Sequence, residues 1–134
     1  MSLDLVMNHA TFRKAWRFEA FAEACAAQGM TRVSIWGDEV DSIGIKAAGQ
    51  SLRNAGLAAF GYNRAGPFLA AAPDERAERL AAAKAEIDKA AALGADHVLV
   101  FPGSLAPHQK GLDGSRTRDG FRIAHDISSY SFVA

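Results

Sequence analysis

Hydrophobic positions recur along the chain in a fixed order: a stretch with helical spacing, then a glycine, then a short apolar run. This order occurs three times, with the glycines at Gly29, Gly56 and Gly94. The apolar runs that follow are residues 32–36, 57–61 and 97–101. Glycine directly after a helix adopts the left-handed conformation without a Cβ clash. Each unit therefore predicts a helix that ends near its glycine and a strand that follows.

The three predicted helices differ in how clearly the pattern marks them. The first has apolar residues at three- and four-residue spacing, namely Phe18, Phe21, Ala22 and Cys25. The second is predicted roughly from Ile43 to Asn54, although Gly44 and Gly49 lie inside it and weaken the pattern. The third begins near Pro73, which two acidic residues follow. A further strand is predicted over residues 3–7, ahead of the first helix.

The predicted strands are continuous apolar runs rather than alternating ones, which is typical of parallel strands covered on both faces. Strands that alternate with helices indicate a parallel sheet with right-handed crossovers. A small open doubly wound sheet and part of a (β/α)₈ barrel both fit this order, and the pattern alone leaves both open. A complete barrel takes about 250 residues. The 134 residues of this chain would supply about half of one.

Composition and charge limit the kinds of binding partner and the cellular compartment that we expect for this chain. Fifteen basic residues balance fifteen acidic ones, which argues against nucleic acid or an anionic membrane as the main partner. Cys25 is the single cysteine, so no internal disulfide forms and a reducing compartment fits best. The start of the chain lacks the pattern of a signal peptide, and the longest apolar run is too short to span a bilayer. We expect a cytoplasmic protein.

Polar and aromatic residues follow the predicted strands at their carboxyl ends, where ligands bind in both architectures. The candidate substrate-binding residues are Asn8, His9, Trp36, Asp38, Arg64 and His108. Each also has a purely structural interpretation. Asn8, His9 and Asp38 have the chemistry of helix caps or turns, and Trp36 that of a core or rim residue. Arg64 could equally form an ion pair at the surface. His108 lies in a polar stretch, so the simpler interpretation is a side chain exposed to solvent.

Several common catalytic signatures are missing from the sequence. It contains no GxGxxG, no phosphate-binding P-loop, no HExxH, no paired-cysteine zinc pattern and no GxSxG nucleophile elbow. A hard-metal site needs several carboxylates or histidines that converge from different strands. Near the predicted carboxyl ends, only His9, Asp38 and the more distant His108 are of this kind. The residues therefore predict no metal site within this chain.

The order of several segments carries a resemblance to a known family. These segments are Asn8–Thr11, Trp16–Phe21, Trp36–Val40, Asn63–Phe68, Ala90–Asp96, Val98–Leu105 and Leu112–Gly120. Together they resemble the sugar-phosphate isomerase/epimerase superfamily, the xylose isomerase-like TIM barrels. The sequence departs from the family at Gly37, where an arginine is usual, and at Asn63 and Ala65, where a cysteine and a glycine are usual.

This resemblance implies an α/β fold, a parallel half barrel of about four βα units. It covers residues 1–120, whereas residues 121–134 form a tail that departs from the family and reads as the product of a truncation, a frameshift or recruitment to a new role. Full-length members are expected to bind a divalent metal, Mn, Mg or Zn, through later strands that this chain lacks. The resemblance thus implies metal-dependent aldose/ketose isomerisation or epimerisation for the family and an inactive isolated chain here.

A half barrel leaves its first and last strands as open edges, which promote pairing with another chain. We therefore expect a homo-oligomer formed through those edges, with a sugar-like small molecule as the ligand. Three functions stay open: an isomerase or epimerase completed by assembly, a non-catalytic small-molecule-binding module, and a protein-interaction module that uses the exposed face of the half barrel.

Overall fold

The computed structural model describes residues 5–68, 70 and 72–103. Strands and helices alternate along these residues. The strands are β1 (Met7–Asn8), β2 (Arg32–Trp36), β3 (Ala58–Ala65) and β4 (His97–Val100). The helices are α1 (Phe18–Ala27), α2 (Gly37–Ile43), α3 (Ile45–Asn54) and α4 (Pro73–Ala92), and a 3₁₀ turn spans His9–Thr11. His108 and the tail 121–134 lie outside the described residues.

The four strands form one parallel sheet in the order β1-β2-β3-β4. Met7 is in register with Val33, and Trp36 is in register with Asn63. A bulge in the β2–β3 pairing lies between Val33 and Ser34. Sequential parallel neighbours require helical crossovers, which the alternating elements provide. The predicted α/β class and parallel order are confirmed.

The described residues fall into two compact units, the first within Met1–Arg64 and Asp88–Leu99 and the second within Ala65–Ile87 and Val100–Ala134. The core of the first unit forms where one face of the sheet meets the helices. Its fully buried members include Val33, Ile35, Phe18, Phe21, Val40, Ala48 and Tyr62. Cys25 is also buried in this core, as its place on the apolar side of α1 predicts.

The second unit contains most of α4 and the chain on either side of it. Backbone bonds join its segments: Phe101 donates to the Ala65 carbonyl at 2.8 Å, and Phe68 donates to the Pro102 carbonyl at 2.9 Å. The helix begins at Pro73, as predicted, with acidic residues in its first turn. No helix among the described residues is both long and apolar enough to cross a membrane.

The helix predicted from Ile43 to Asn54 corresponds to α3, and a separate helix that the sequence pattern did not predict, α2, precedes it. Gly44 separates α2 from α3 with φ of 86° and ψ of 143°, a conformation that breaks the helix and favours glycine. Its amide donates to the Val40 carbonyl at 2.8 Å and closes the end of α2. The pattern did not predict α2 because this seven-residue helix has one fully buried side chain, at Val40, and so shows no helical repeat of apolar residues.

The strand boundaries also differ from the prediction. β3 continues to Ala65 rather than ending at Gly61, so that Asn63 and Arg64 lie within the strand and not in a loop after it. β1 covers Met7–Asn8 among the described residues, whereas residues 3 and 4 of the predicted strand lie outside them. These shifts leave the order of elements unchanged.

Candidate functional site

The candidate site lies at the carboxyl ends of β1, β2 and β3. Asn8 is the last residue of β1, Trp36 is the last residue of β2, and Arg64 is the penultimate residue of β3. Because parallel strands end at the same edge of a sheet, residues far apart in sequence meet here. All of them belong to the first compact unit.

Asn8 joins two strands through its side chain. Its Oδ1 accepts a hydrogen bond from Trp36 Nε1 at 2.9 Å and another from the Ala10 amide, also at 2.9 Å. The second bond caps the 3₁₀ turn, so the structural interpretation of Asn8 as a cap is confirmed. The first bond fixes the orientation of the Trp36 ring. One amide oxygen thus both caps the turn and positions the aromatic side chain of the site.

Trp36 has a guanidinium group near it from each of two other segments. The Cζ atom of Arg13 lies 5.4 Å from the ring centroid, and that of Arg64 lies 6.0 Å from it. Both distances are within the range of cation–π attraction, which is worth about 0.5–1 kcal/mol at exposed sites. The structure therefore brings two of the predicted residues, Trp36 and Arg64, together with Arg13.

Asp38 joins the same cluster through Arg13. Its Oδ2 accepts from Arg13 Nη1 at 3.0 Å, and the aspartate side chain is 62% exposed. Its Oδ1 accepts from the Glu39 amide at 3.0 Å, within the first turn of α2. An ion pair this exposed contributes at most about 1 kcal/mol. The ion pair therefore matters for the geometry of the site, because it holds one guanidinium and one carboxylate beside the tryptophan ring.

His9 follows Asn8 in the chain, but its side chain is fully buried. The imidazole packs edge-on against Phe18, with centroids 5.4 Å apart, and at 4.6 Å from the ring of Phe21. Neither ring nitrogen has a hydrogen-bond partner among the described residues. That His9 contacts a ligand stays a prediction, since in this conformation the ring lies within the core, behind the exposed cluster.

Burial lowers the pKa of His9 below its ordinary value of 6.5, because the apolar surroundings disfavour the imidazolium. The nearby charge of Glu39, the backbone of Trp16 and the charge of Asp38 act in the opposite direction and limit the shift. The neutral form is therefore the one that this site favours near neutral pH.

Asn63 supports the site from the middle strand. Its Nδ2 donates to Ser34 Oγ at 2.9 Å and to the Ile35 carbonyl at 3.2 Å, and the residue is 8% exposed. These bonds tie β3 to β2 one residue before Trp36. Asn63 is thus a structural amide here, although its position after an apolar run made it a polar residue of the predicted site edge.

Comparison with known proteins rests on structure, since no protein-family model and no curated sequence matches the chain. The crystal structure of protein SMc04130 from Sinorhizobium meliloti 1021 matches with a TM-score of 0.83 and 29% identity over 94% of this chain and 46% of that one. A xylose isomerase-like TIM barrel/4-hydroxyphenylpyruvate dioxygenase fusion protein matches with a TM-score of 0.75 and 19% identity, over 96% of this chain and 21% of the fusion. The fold is that of half a xylose isomerase-like TIM barrel.

A D-psicose 3-epimerase solved in the presence of D-fructose has the same fold, with a TM-score of 0.65 and 13% identity over 93% of this chain and 50% of that one. The chain spans about half the length of SMc04130 and of the epimerase. The half barrel predicted from the sequence is therefore confirmed. In TIM barrels the active site lies at the carboxyl ends of the strands, which is where the cluster around Trp36 lies.

The half barrel was also tested for residues that would hold a divalent metal. No group of three His, Cys, Asp or Glu side chains in ligating proximity occurs within residues 5–68, 70 and 72–103. His9 is sealed among aromatic rings and Asp38 is paired with Arg13. These residues do not fit a metal ion, so any metal-dependent step would need ligands from outside the described residues.

Arg13 is the site residue that sequence reasoning missed. It lies in the connection between β1 and α1, which is a carboxyl-end loop, and this placement was the one available signal. His108, in contrast, lies outside the described residues, and its predicted role stays a prediction.

Proposed function

We propose that the chain binds a polyhydroxylated, sugar-like molecule at the carboxyl ends of β1–β3, as the substrate-binding half of an isomerase- or epimerase-type barrel. The observation that carries the proposal is the convergence of Asn8, Arg13, Trp36 and Asp38 through direct hydrogen bonds and ring contacts. Small-molecule sites commonly combine an aromatic surface with a few polar groups in fixed positions.

The chemistry of the cluster suits a sugar. The indole offers an apolar surface for C–H groups, the guanidinium of Arg13 offers several donors, and the carboxylate of Asp38 accepts from hydroxyls. The cluster is half-exposed rather than sealed, so a ligand has access to it. D-fructose is the first probe to use, since the structurally similar epimerase was solved in its presence.

Turnover needs more than the described residues provide. Moving a proton between neighbouring sugar carbons requires an acid or base within hydrogen-bond reach of the carbon that reacts. Asp38 is already paired with a guanidinium, and the His9 imidazole lies in the core. We infer that the described residues of this half barrel bind and orient a sugar, and that interconversion of sugars would need groups from outside them.

Tryptophan fluorescence tests the proposal directly. The chain has two tryptophans, so Trp16→Phe leaves Trp36 as the single reporter in the site. D-fructose and D-xylose are expected to shift its emission in a saturable way, while glycerol at equal concentration is not. In the same background, Asn8→Ala should weaken the response and Asn54→Ala, an exposed change on α3, should not. A linear response to every sugar would contradict the proposal.

A second candidate is a purely non-catalytic binding module, favoured by the lack of a metal-ligand group among the described residues. Manganese titration separates the two candidates. If the ketose binds tightly only with Mn²⁺ present and isomerised product appears, the enzyme interpretation holds. If binding is the same with and without Mn²⁺ and no product forms, the binding module holds.

A further inference from the structure

Within residues 5–68, 70 and 72–103, the sheet has a second face that the helices do not cover. Val33 and Ile35 of β2 are fully buried on the helix side, so the alternation of the strand sends Arg32, Ser34 and Trp36 to the opposite face. In β4, Val98 packs against the core whereas Leu99 is 52% exposed. Large side chains, including an exposed leucine, therefore stand on a sheet face that a folded protein normally covers.

Both edges of the sheet are open within the described residues. The order β1-β2-β3-β4 leaves β1 and β4 with one neighbouring strand each. Leu5, just before β1, is 61% exposed, and Leu99 lies in β4. An open strand edge beside exposed apolar side chains favours pairing with another strand.

We propose that this uncovered face and its two edges bind a second copy of the chain, so that two copies close one eight-stranded parallel barrel. In this arrangement β4 of each copy pairs with β1 of the other. A twofold axis along the barrel then relates two identical junctions.

The fold favours this occupant over others. A TIM barrel has eight parallel strands with helices outside, and the chain has the fold of half of one. A second copy supplies four more strands in the same direction, with the same complementary edges. Keeping all strands parallel and all helices outside requires β4 against β1 at both junctions, because pairing like edges would reverse the strands or turn the helices inward.

Barrel closure also explains why large side chains stand on the uncovered face. The interior of a TIM barrel is filled by layers of side chains rather than left as a pore. Phe60 and His97 already pack edge-on on this face, with centroids 4.6 Å apart, and Leu99 follows His97 by two residues in β4, on the same side of the strand. Arg32 lies over Phe60 at 5.5 Å and begins β2, so its guanidinium can reach water at the rim of the barrel. We expect these side chains and their copies to fill the interior.

Light scattering with two edge variants tests the proposal. The wild-type chain should give twice the 14.2 kDa of one chain at micromolar concentration. Leu5→Lys and Leu99→Asp should each give monomers, because each change affects both junctions. Mixed in equal amounts, the two variants should recover a dimer, since one of the two junctions is then wild type. Ala27→Lys, an exposed change on α1, is the matched control and should stay dimeric.

Each other result overturns the proposal. A monomeric wild-type chain excludes the closed pair, and a dimer that only one of the two variants disrupts indicates pairing of like edges. If circular dichroism shows that both variants are folded and their mixture still gives no dimer, the proposal is also excluded.

Hydrogen exchange of the wild-type amides in residues 97–100 provides a second measurement that needs no substitution. Their protection should rise with protein concentration, and protection independent of concentration would count against the pairing.

Discussion

Replacing His9 by methionine should stabilise the first compact unit, because its buried ring nitrogens lack hydrogen-bond partners among the described residues. The side chain is fully buried, and both ring nitrogens lack a hydrogen bond among the described residues. Methionine has a similar size, adapts to irregular spaces and makes favourable contacts with aromatic rings such as Phe18 and Phe21.

The magnitude follows from the cost of an unsatisfied group. A buried donor or acceptor without a partner costs about 1–3 kcal/mol, and a neutral imidazole has one of each. Imperfect packing of the new side chain offsets up to about 1.5 kcal/mol. We therefore expect His9→Met to raise the free energy of unfolding by about 1 kcal/mol at pH 8, where both the folded and the unfolded histidine are neutral.

The gain should grow as the pH falls. Burial lowers the pKa of His9 in the folded state, so below about pH 6.5 the unfolded chain binds a proton that the folded chain does not. Stability then falls with decreasing pH, with a slope of at most about 1.4 kcal/mol per pH unit, and levels off below the folded-state pKa. The methionine variant lacks this loss, so the difference between the two proteins should widen between pH 7 and pH 5.

Urea unfolding followed by the fluorescence of Trp36, in the Trp16→Phe background, measures this difference in the unit that contains His9. Ala27→Met, an exposed change on α1, is the control for introducing a methionine and should leave stability and its pH dependence as in the wild type. Equal pH profiles for wild type and His9→Met, or a loss of more than 1 kcal/mol at pH 8, would show that the imidazole has a stabilising partner and refute the reasoning.

Three further substitutions test the geometry of the fold and of the site. Gly66→Ala should destabilise by at least about 2 kcal/mol in thermal unfolding, because a methyl group at φ of 117° would overlap the carbonyl oxygen of Phe101; a stability within 0.5 kcal/mol of wild type would contradict this. Asn8→Ala should cost about 1–2 kcal/mol and shift the emission of Trp36, since it removes both a cap and the acceptor for the indole N–H; an unchanged spectrum would indicate that the ring is held by other contacts. Arg13→Gln should change stability by less than about 1 kcal/mol, as an exposed pair does, yet weaken sugar binding several-fold in a fluorescence titration; unchanged binding would remove this residue from the site.

The repeated glycines predicted much of the fold for a local reason. Gly29, Gly56 and Gly94 have φ of 75°, 68° and 68°, which is the left-handed conformation expected after a helix. Each marks the change from helix to strand, and with the apolar runs they define the order of a parallel sheet. Helix α2 was not predicted because Val40 is its one buried side chain, and Gly44 was placed inside the next helix because a glycine in a helical stretch is compatible with a continuous helix or with a helix boundary.

The parts of the site that escaped prediction depend on contacts between distant segments. The role of Arg13 depends on Asp38 and Trp36, which lie on the neighbouring strand end. The burial of His9 depends on two phenylalanines of α1 that close over it. In the sequence, a polar residue after a strand looks the same whether it faces a ligand or the core. Only the packing of the following helix shows which of the two applies.

Ligand binding and assembly of two copies should also be linked, since Asn8 belongs to both. It holds Trp36 by a hydrogen bond, and it is the last residue of β1, a two-residue edge strand that the proposed junction extends. A sugar that fixes Trp36 should also fix β1 in the position that pairs with a second copy. Each copy carries one site, so linkage requires saturating D-fructose to strengthen dimerisation by the square of the factor by which dimerisation strengthens sugar binding at each site. Dilution series in light scattering, with and without saturating D-fructose, measure the first factor, and titrations below and above the dimer dissociation constant measure the second. A dimerisation factor equal to the square of a binding factor greater than one supports the coupling through Asn8, which Asn8→Ala should abolish, whereas factors of one would show that the edge and the site are independent.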